Sequence, residues 1–204
     1  MSQDFVFHGS LDERDPELAR LLAREDQRQD ETIILIASES MAPTAVRETM
    51  SSKFGNVYAE GYPREESRRQ SETDILDIEW ELARYRRNSD PRYYKGVEYA
   101  DILEALTRRR AAELFAANGV TPDELYVNVQ PLSGAPANSA VYTALLQPGD
   151  TIMGLNLNDG GHLSHGTKIN RSGKHYVGVP YFVDKETELL DYDAIEQQAL
   201  ELKP

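Results

Sequence analysis

The alternation of short apolar runs with amphipathic stretches from Leu125 onward constrains this chain's fold more than any other feature. Leu125 to Val129, with Tyr126, Val127 and Val129, reads as a strand. A loop of small residues then enters a helix within Leu132 to Leu146. The Pro148-Gly149-Asp150 turn introduces a strand over Thr151 to Leu157. The glycine-rich loop Asn158 to Gly166 follows, and Ser172-Gly173 reads as a turn. His175 to Val183 reads as a strand and Leu189 to Leu202 as a helix with Tyr192, Ile195 and Ala199 inward. Strands separated by helical crossovers lie parallel, so this half predicts an α/β layer with a largely parallel sheet. Glu201 to Pro204 would lead into another strand, so the large domain is expected to be truncated at 204.

The first half reads as helices and turns. Met1 to Ser10 reads as a loose arm. Asp15 followed by Pro16 is an N-cap with proline at the first helical position. Leu18, Leu21 and Leu22 then give a narrow apolar stripe to about Gln29. Thr32 to Ala37 is an apolar run too short to separate buried strand from extended segment, and Ser38 and Glu39 follow it. Pro43 opens a helix carrying Val46 and Met50 that ends before Gly55. Residues 1–56 therefore read as arm and helices, 57–96 as a site loop region with a helical insert at 64–90, and 97–204 as the start of a larger domain. In the insert, Ser71 to Asp74 has capping-box form, and Ile75, Ile78, Leu82 and Tyr85 share a stripe. Trp80 lies off that stripe, and Asn88 to Pro91 stops the segment. The insert reads as a solvated surface helix, with a partner contact through Trp80 as the alternative. Val97 to Ala117 reads as a helix with Tyr99, Ile102, Leu103, Leu106 and Leu114 on its stripe, stopped by Asn118-Gly119.

Charge and composition exclude several roles. A net charge of -13 argues against binding a phosphate backbone, so no nucleic-acid partner is expected. The absence of Cys removes disulfides and thiolate chemistry. No apolar run of membrane-spanning length and no secretory signal pattern occur, so a cytoplasmic protein with no membrane association is the expectation.

Two constellations carry chemistry. Ser133-Gly134-Ala135 lies between a strand and a helix, where free backbone N–H groups and a hydroxyl can cradle a phosphate. His162 and His165 lie three apart in a glycine loop. No third His or Cys lies nearby to complete a metal site, so no metal is expected. A flat imidazole beside glycines can instead stack on a planar ring, and a structural role suits His165. Tyr58, Glu60, Tyr93 and Tyr94 add three phenols and one carboxylate on a turn-rich stretch. That set suits a planar phosphorylated cofactor such as pyridoxal 5'-phosphate.

The motifs LIASES (Leu35 to Ser40), YAEGYP (Tyr58 to Pro63), RYY (Arg92 to Tyr94), NVQPLSGAPAN (Asn128 to Asn138), VYTALLQPGDTIMGLNL (Val141 to Leu157) and GGHLSHG (Gly160 to Gly166) resemble serine hydroxymethyltransferase, in order and over nearly the whole chain. The resemblance implies a fold-type I pyridoxal-phosphate transferase, aspartate aminotransferase-like, working as a homodimer or dimer of dimers. It implies interconversion of serine plus tetrahydrofolate with glycine plus 5,10-methylenetetrahydrofolate. By position, Ser133, Gly134 and Ala135 would hold the cofactor phosphate, His162 would stack on its ring, and Asn138 would lie near its phenolic oxygen. Ser38 would approach the amino acid, and Tyr58 and Glu60 would reach the neighbouring subunit's site. Glu60 would be the acid/base carboxylate. Tyr94 would place the substrate carboxylate and Tyr93 would pack near folate. Leu157, Gly161 and Leu163 would line the folate pocket.

The chain departs from the family pattern at Leu132, Ala135, Pro136 and Lys95. Ala135 keeps its N–H but lacks a hydroxyl, a loss of about 1 to 2 kcal/mol of phosphate binding. The insert separates YAEGYP from RYY. None of Lys53, Lys95, Lys168, Lys174, Lys185 or Lys203 sits in the family's Schiff-base lysine motif. The chain is therefore expected to be the N-terminal half only, inactive alone and prone to self-association. The alternative is a non-catalytic or split-enzyme subunit whose partner chain carries that lysine.

Overall fold

The structure is a computed structural model describing residues 8–88 and 92–204. The expected arm before His8 and the stop signal at 89–91 lie outside the described residues. The chain divides into two compact units, Met1–Tyr58 and Ala59–Pro204.

The first unit holds α1 (Leu11–Arg14), α2 (Pro16–Glu31) and α3 (Thr44–Met50). The Asp15 side chain accepts from the Leu18 N–H at 2.9 Å and Pro16 follows it, so the expected start of α2 holds. The stripe does not find a core: Leu18, Leu21 and Leu22 are exposed, and none of the described residues 8–58 is buried. Thr32 to Ala37 forms no strand, and Ile33 and Leu35 stand more than four-fifths exposed. Ser38 lies in a turn in which the Glu39 N–H donates to the Ile36 carbonyl at 3.0 Å.

In the second unit, the insert forms two helices where one stripe suggested one. The Ser71–Asp74 capping box starts α4 (Glu72–Ile75), and Asp77 then caps α5 (Ile78–Arg87) through the Trp80 N–H. Nor is the insert a solvated appendage. Ile75, at 1% exposure, packs with Ile102 and Ala105 of α6 (Glu98–Phe115), flanked by Ile78 and Leu106. The insert thus contributes Ile75 and Ile78 to this buried apolar cluster, and α6 contributes Ile102, Ala105 and Leu106. Burying a side chain the size of Ile75 stabilises by about 1.5 to 3 kcal/mol. On α6, Ile102 is buried as its periodicity implied, whereas Tyr99 and Leu114 are exposed. Asn118 and Gly119 adopt φ of 53° and 87°, the left-handed stop expected there.

Leu125 to Val129 is not a strand. Extended backbone becomes a strand only where a neighbour takes its N–H and C=O groups, and this segment joins no ladder. Helix α7 (Gly134–Leu145) follows. Strands β1 (Thr151–Leu155) and β2 (Val177–Tyr181) pair in parallel, with Thr151 opposite Val177 and Leu155 opposite Tyr181. Both are shorter than the apolar runs that predicted them. The crossover between them carries the glycine loop and a short helix, α8 (Arg171–His175), which takes up the expected Ser172-Gly173 turn. Helix α9 (Tyr192–Leu202) closes the unit, with Ile195 and Ala199 half-buried and Tyr192 exposed. The result is helix-rich with a small parallel sheet. No helix among the described residues is long and apolar enough to cross a membrane.

Candidate functional site

Helix α7 and the glycine loop make the first cluster. Ser133 is the N-cap of α7, and its side chain makes no capping bond. The first intrahelical bond runs from the Ala137 N–H to the Ser133 carbonyl at 3.1 Å. Because Pro136 has no N–H, the first turn offers the N–H groups of Gly134 and Ala135 beside the Ser133 hydroxyl. A Cβ added at Gly134 would meet nothing within 4 Å, so the approach to these donors is open.

One turn further along α7, the Asn138 amide donates to the Ser164 hydroxyl oxygen at 2.7 Å. Ser164, at 2% exposure, lies 2.7 Å from His162 Nδ1, and its backbone N–H donates to the same nitrogen at 3.2 Å. A backbone N–H can only donate, so Nδ1 accepts and the neutral ring carries its proton on Nε2. The relay Asn138–Ser164–His162 thus fixes the ring's tautomer and ties it to the cradle helix, while the ring stays exposed. His165 is held differently. Its Nδ1 lies 2.8 Å from the Tyr142 hydroxyl, and its Cβ sits where a side chain on Gly154 of β1 would be. Burial holds the Tyr142 phenol above its ordinary pKa, so it is protonated. Gly161 is obligatory: an added Cβ would lie 1.8 Å from the Leu155 carbonyl oxygen. Leu157 and Leu163 flank that bend, each partly exposed.

The second cluster is built on Arg92, whose side chain is 1% exposed. Its guanidinium donates to Asp101, to the Ala59 carbonyl, to the Gly61 carbonyl at 3.1 Å and to Glu104 at 2.6 Å. Burial lowers the Arg92 pKa, but the hydrogen bonds to Glu104 and Asp101 outweigh it and the net shift is upward. Between the two clamped carbonyls lies Glu60, whose own carbonyl accepts from the Tyr93 N–H at 3.0 Å. Gly61 has φ 104°, the left-handed region that a side chain would strain. Gln130 donates to the Gly61 carbonyl at 2.8 Å and to Glu104 at 2.9 Å, which binds this loop to the segment leading into α7. The Glu60 side chain is exposed on a backbone that is fixed. Tyr93 and Tyr94 follow Arg92 with ring centroids 6.2 Å apart.

The structure therefore gathers Asn138 and His162 beside the Ser133–Ala135 turn, and Glu60, Tyr93 and Tyr94 around Arg92. Ser38 and Tyr58 belong to the first unit. The reading from motifs alone missed Ser164 and Arg92 as organising residues. Both are polar residues whose importance comes from burial, which the sequence does not print.

The fold and these clusters define an α/β protein with an uncapped helix start and an oriented imidazole gathered beside a parallel strand pair. The sequence profile of serine hydroxymethyltransferase matches residues 11–90 and 84–204. A serine hydroxymethyltransferase of Koribacter versatilis is 47% identical over 195 residues, covering 96% of this chain and 38% of the relative. One of Acinetobacter baumannii is 45% identical over 195 residues, covering 96% of this chain and 39% of the relative. One of Levilactobacillus brevis is 45% identical over 192 residues, covering 94% and 38%. The chain belongs to the serine hydroxymethyltransferase family. It spans less than two-fifths of the length of these relatives.

Proposed function

We propose that this chain is the part of a fold-type I hydroxymethyltransferase that holds pyridoxal 5'-phosphate and substrate, in a protein that interconverts serine plus tetrahydrofolate with glycine plus 5,10-methylenetetrahydrofolate. The observation that carries the reading is the Asn138–Ser164–His162 relay, which places an oriented, exposed imidazole beside an uncapped helix start. The residues present fit the cofactor. The N–H groups of Gly134 and Ala135 and the Ser133 hydroxyl would hold its phosphate, the helix start favouring the negative charge. The His162 ring would stack on its pyridine ring, and Asn138 would lie near its phenolic oxygen. When bound, pyridoxal phosphate supplies an electron sink for bond cleavage at the amino acid's α-carbon.

The remaining roles belong to this chain's side chains. Ser38 and Tyr94 orient the amino acid. Tyr93, Leu157, Gly161 and Leu163 border the folate. Tyr58 and Glu60 serve the site of a neighbouring subunit in a homodimer, and Glu60 moves the proton at the oxygen of the one-carbon unit. Its exposure on a fixed backbone suits a group that meets substrate from across an interface. A positioned general acid/base contributes typically about 10² to 10⁴ in rate. In the native-length protein, Glu60→Gln is expected to lower folate-dependent serine turnover by about that factor while the cofactor's absorbance band persists. Unchanged turnover would remove Glu60 from this role, and loss of the band from wild-type protein would remove the cofactor reading.

A further inference from the structure

We propose that Tyr85, on the insert, is a positioning residue that braces the backbone carrying Glu60. The proposal rests on the reading of Glu60 as the proton-moving carboxylate. The brace is a continuous chain of hydrogen bonds. The Tyr85 hydroxyl, from α5, donates to Oδ2 of Asp101 on α6. The other oxygen of Asp101 accepts from Nε of Arg92. Nη1 of Arg92 donates to the carbonyls of Ala59 and Gly61, and Nη2 to Glu104. The Tyr93 N–H takes the Glu60 carbonyl between them. The carbonyls of Ala59, Glu60 and Gly61 are thus all held from the Arg92–Tyr93 segment, and the insert's phenol holds the carboxylate that orients Arg92.

Asp101 is 2% exposed, so water cannot stand in for a lost phenol. Without that donor, the carboxylate is free to turn toward its remaining partners, and a guanidinium sharing its donors among several acceptors turns with it. The displacement falls on the Glu60 backbone rather than on the fold. Tyr85→Phe keeps the ring, which lines the same small cavity as Ile75, Ile102 and Ala105, and removes only the phenol oxygen. The insert also makes a bond to α6 outside this chain of hydrogen bonds: the half-buried Glu72 with the exposed Arg110. That pair is the internal control.

The test uses the native-length holoenzyme with Tyr85→Phe, Arg110→Ala and Glu60→Gln. Hydrogen exchange is read at residues 59–62 and at the Tyr93 amide, and kcat and KM for serine are measured with tetrahydrofolate. Tyr85→Phe is expected to speed exchange there about tenfold and to lower kcat about tenfold, with KM within about twofold. Arg110→Ala is expected to change neither. Unchanged exchange at 59–62 and Tyr93 in Tyr85→Phe overturns the proposal, as does equal loosening across 98–115, which marks plain destabilisation. An unaltered kcat beside faster local exchange also overturns it, because the brace would then not serve the reaction. If Glu60→Gln retains full turnover, the functional reading fails separately, and the exchange arm alone decides whether the brace exists.

Discussion

At the scale of single residues, the site is organised by polar groups that water does not reach. Ser164 is the clearest case: one hydroxyl serves Asn138 on a helix and His162 on a loop, at 2.7 Å each. Ser164→Ala leaves the half-buried Asn138 and the exposed His162 with one partner fewer each, which costs about 1 kcal/mol. The expected outcome is a lower urea midpoint with an unchanged slope, together with weaker retention of pyridoxal phosphate; an unmoved midpoint would show that the relay carries no energy. A charged residue on the first unit behaves differently. Hydrogen bonds from Arg28, then from Gln29, hold the exposed Glu25 carboxyl down from 4.5 to about 2. A carboxylate with a depressed folded-state pKa contributes stability above its unfolded value and loses it as pH falls through the folded one. Acidification from about pH 4.5 to 2 is therefore expected to loosen α2, seen as falling helical ellipticity, and Glu25→Gln is expected to flatten that part of the profile. A wild-type profile already flat over this range would refute the assignment.

At the scale of elements, the insert carries more energy than its charged sequence suggests. Glu81, 5% exposed, accepts from Arg64 at 2.7 Å and from Arg84 at 3.0 Å. Removing it strands two guanidiniums that are mostly buried, so Glu81→Ala is expected to cost about 3 to 5 kcal/mol. Trp80 is half exposed, with Arg64 5.3 Å from its ring centre, and Trp80→Ala removes a contact of about 0.5 to 1 kcal/mol besides its packing. Denaturant titration of the two variants should rank Glu81 well above Trp80, and the reverse order would mean that the ion cluster is not what holds α5. These elements also show what the sequence could reveal. Caps were legible at Asp15, Ser71 and Asn118-Gly119, because each acts within one turn of its own chain. The break between α4 and α5 was not, since Ile75, Ile78, Leu82 and Tyr85 keep one periodicity across it while Asp77 restarts the helix. Leu125 to Val129 has strand composition, yet pairing is decided by what lies alongside. The Ser133–Ala135 turn and the glycine loop were readable from residue types. The roles of Arg92 and Ser164 were not, because an arginine or serine becomes an organising residue only when the fold takes it out of water.

At the scale of the whole molecule, surface area is the decisive quantity. A compact monomer of 23.0 kDa exposes about 9,600 Å² by the usual size scaling. This chain exposes 16000 Å², an excess of about 6,400 Å². Much of it is apolar: Ile33, Leu35, Leu114, Phe115, Leu132 and Leu145 are each at least 74% exposed. The first unit has no buried residue at all among those described, so its helices have nothing of their own to fold around. Even a large obligate interface of about 5,000 Å² in total covers about 2,500 Å² per partner, so one identical copy does not account for the excess. The chain spans 38% of the length of one relative, and further polypeptide over these faces would account for the excess. The 204 residues expressed alone are therefore expected to self-associate, bind an apolar dye and unfold over a broad range, because edges and apolar faces left open find one another. Light scattering with calorimetry checks this directly. A monodisperse 23.0 kDa species with a sharp transition would show that the exposed faces collapse onto each other in solution, and the argument from surface area would fail with it.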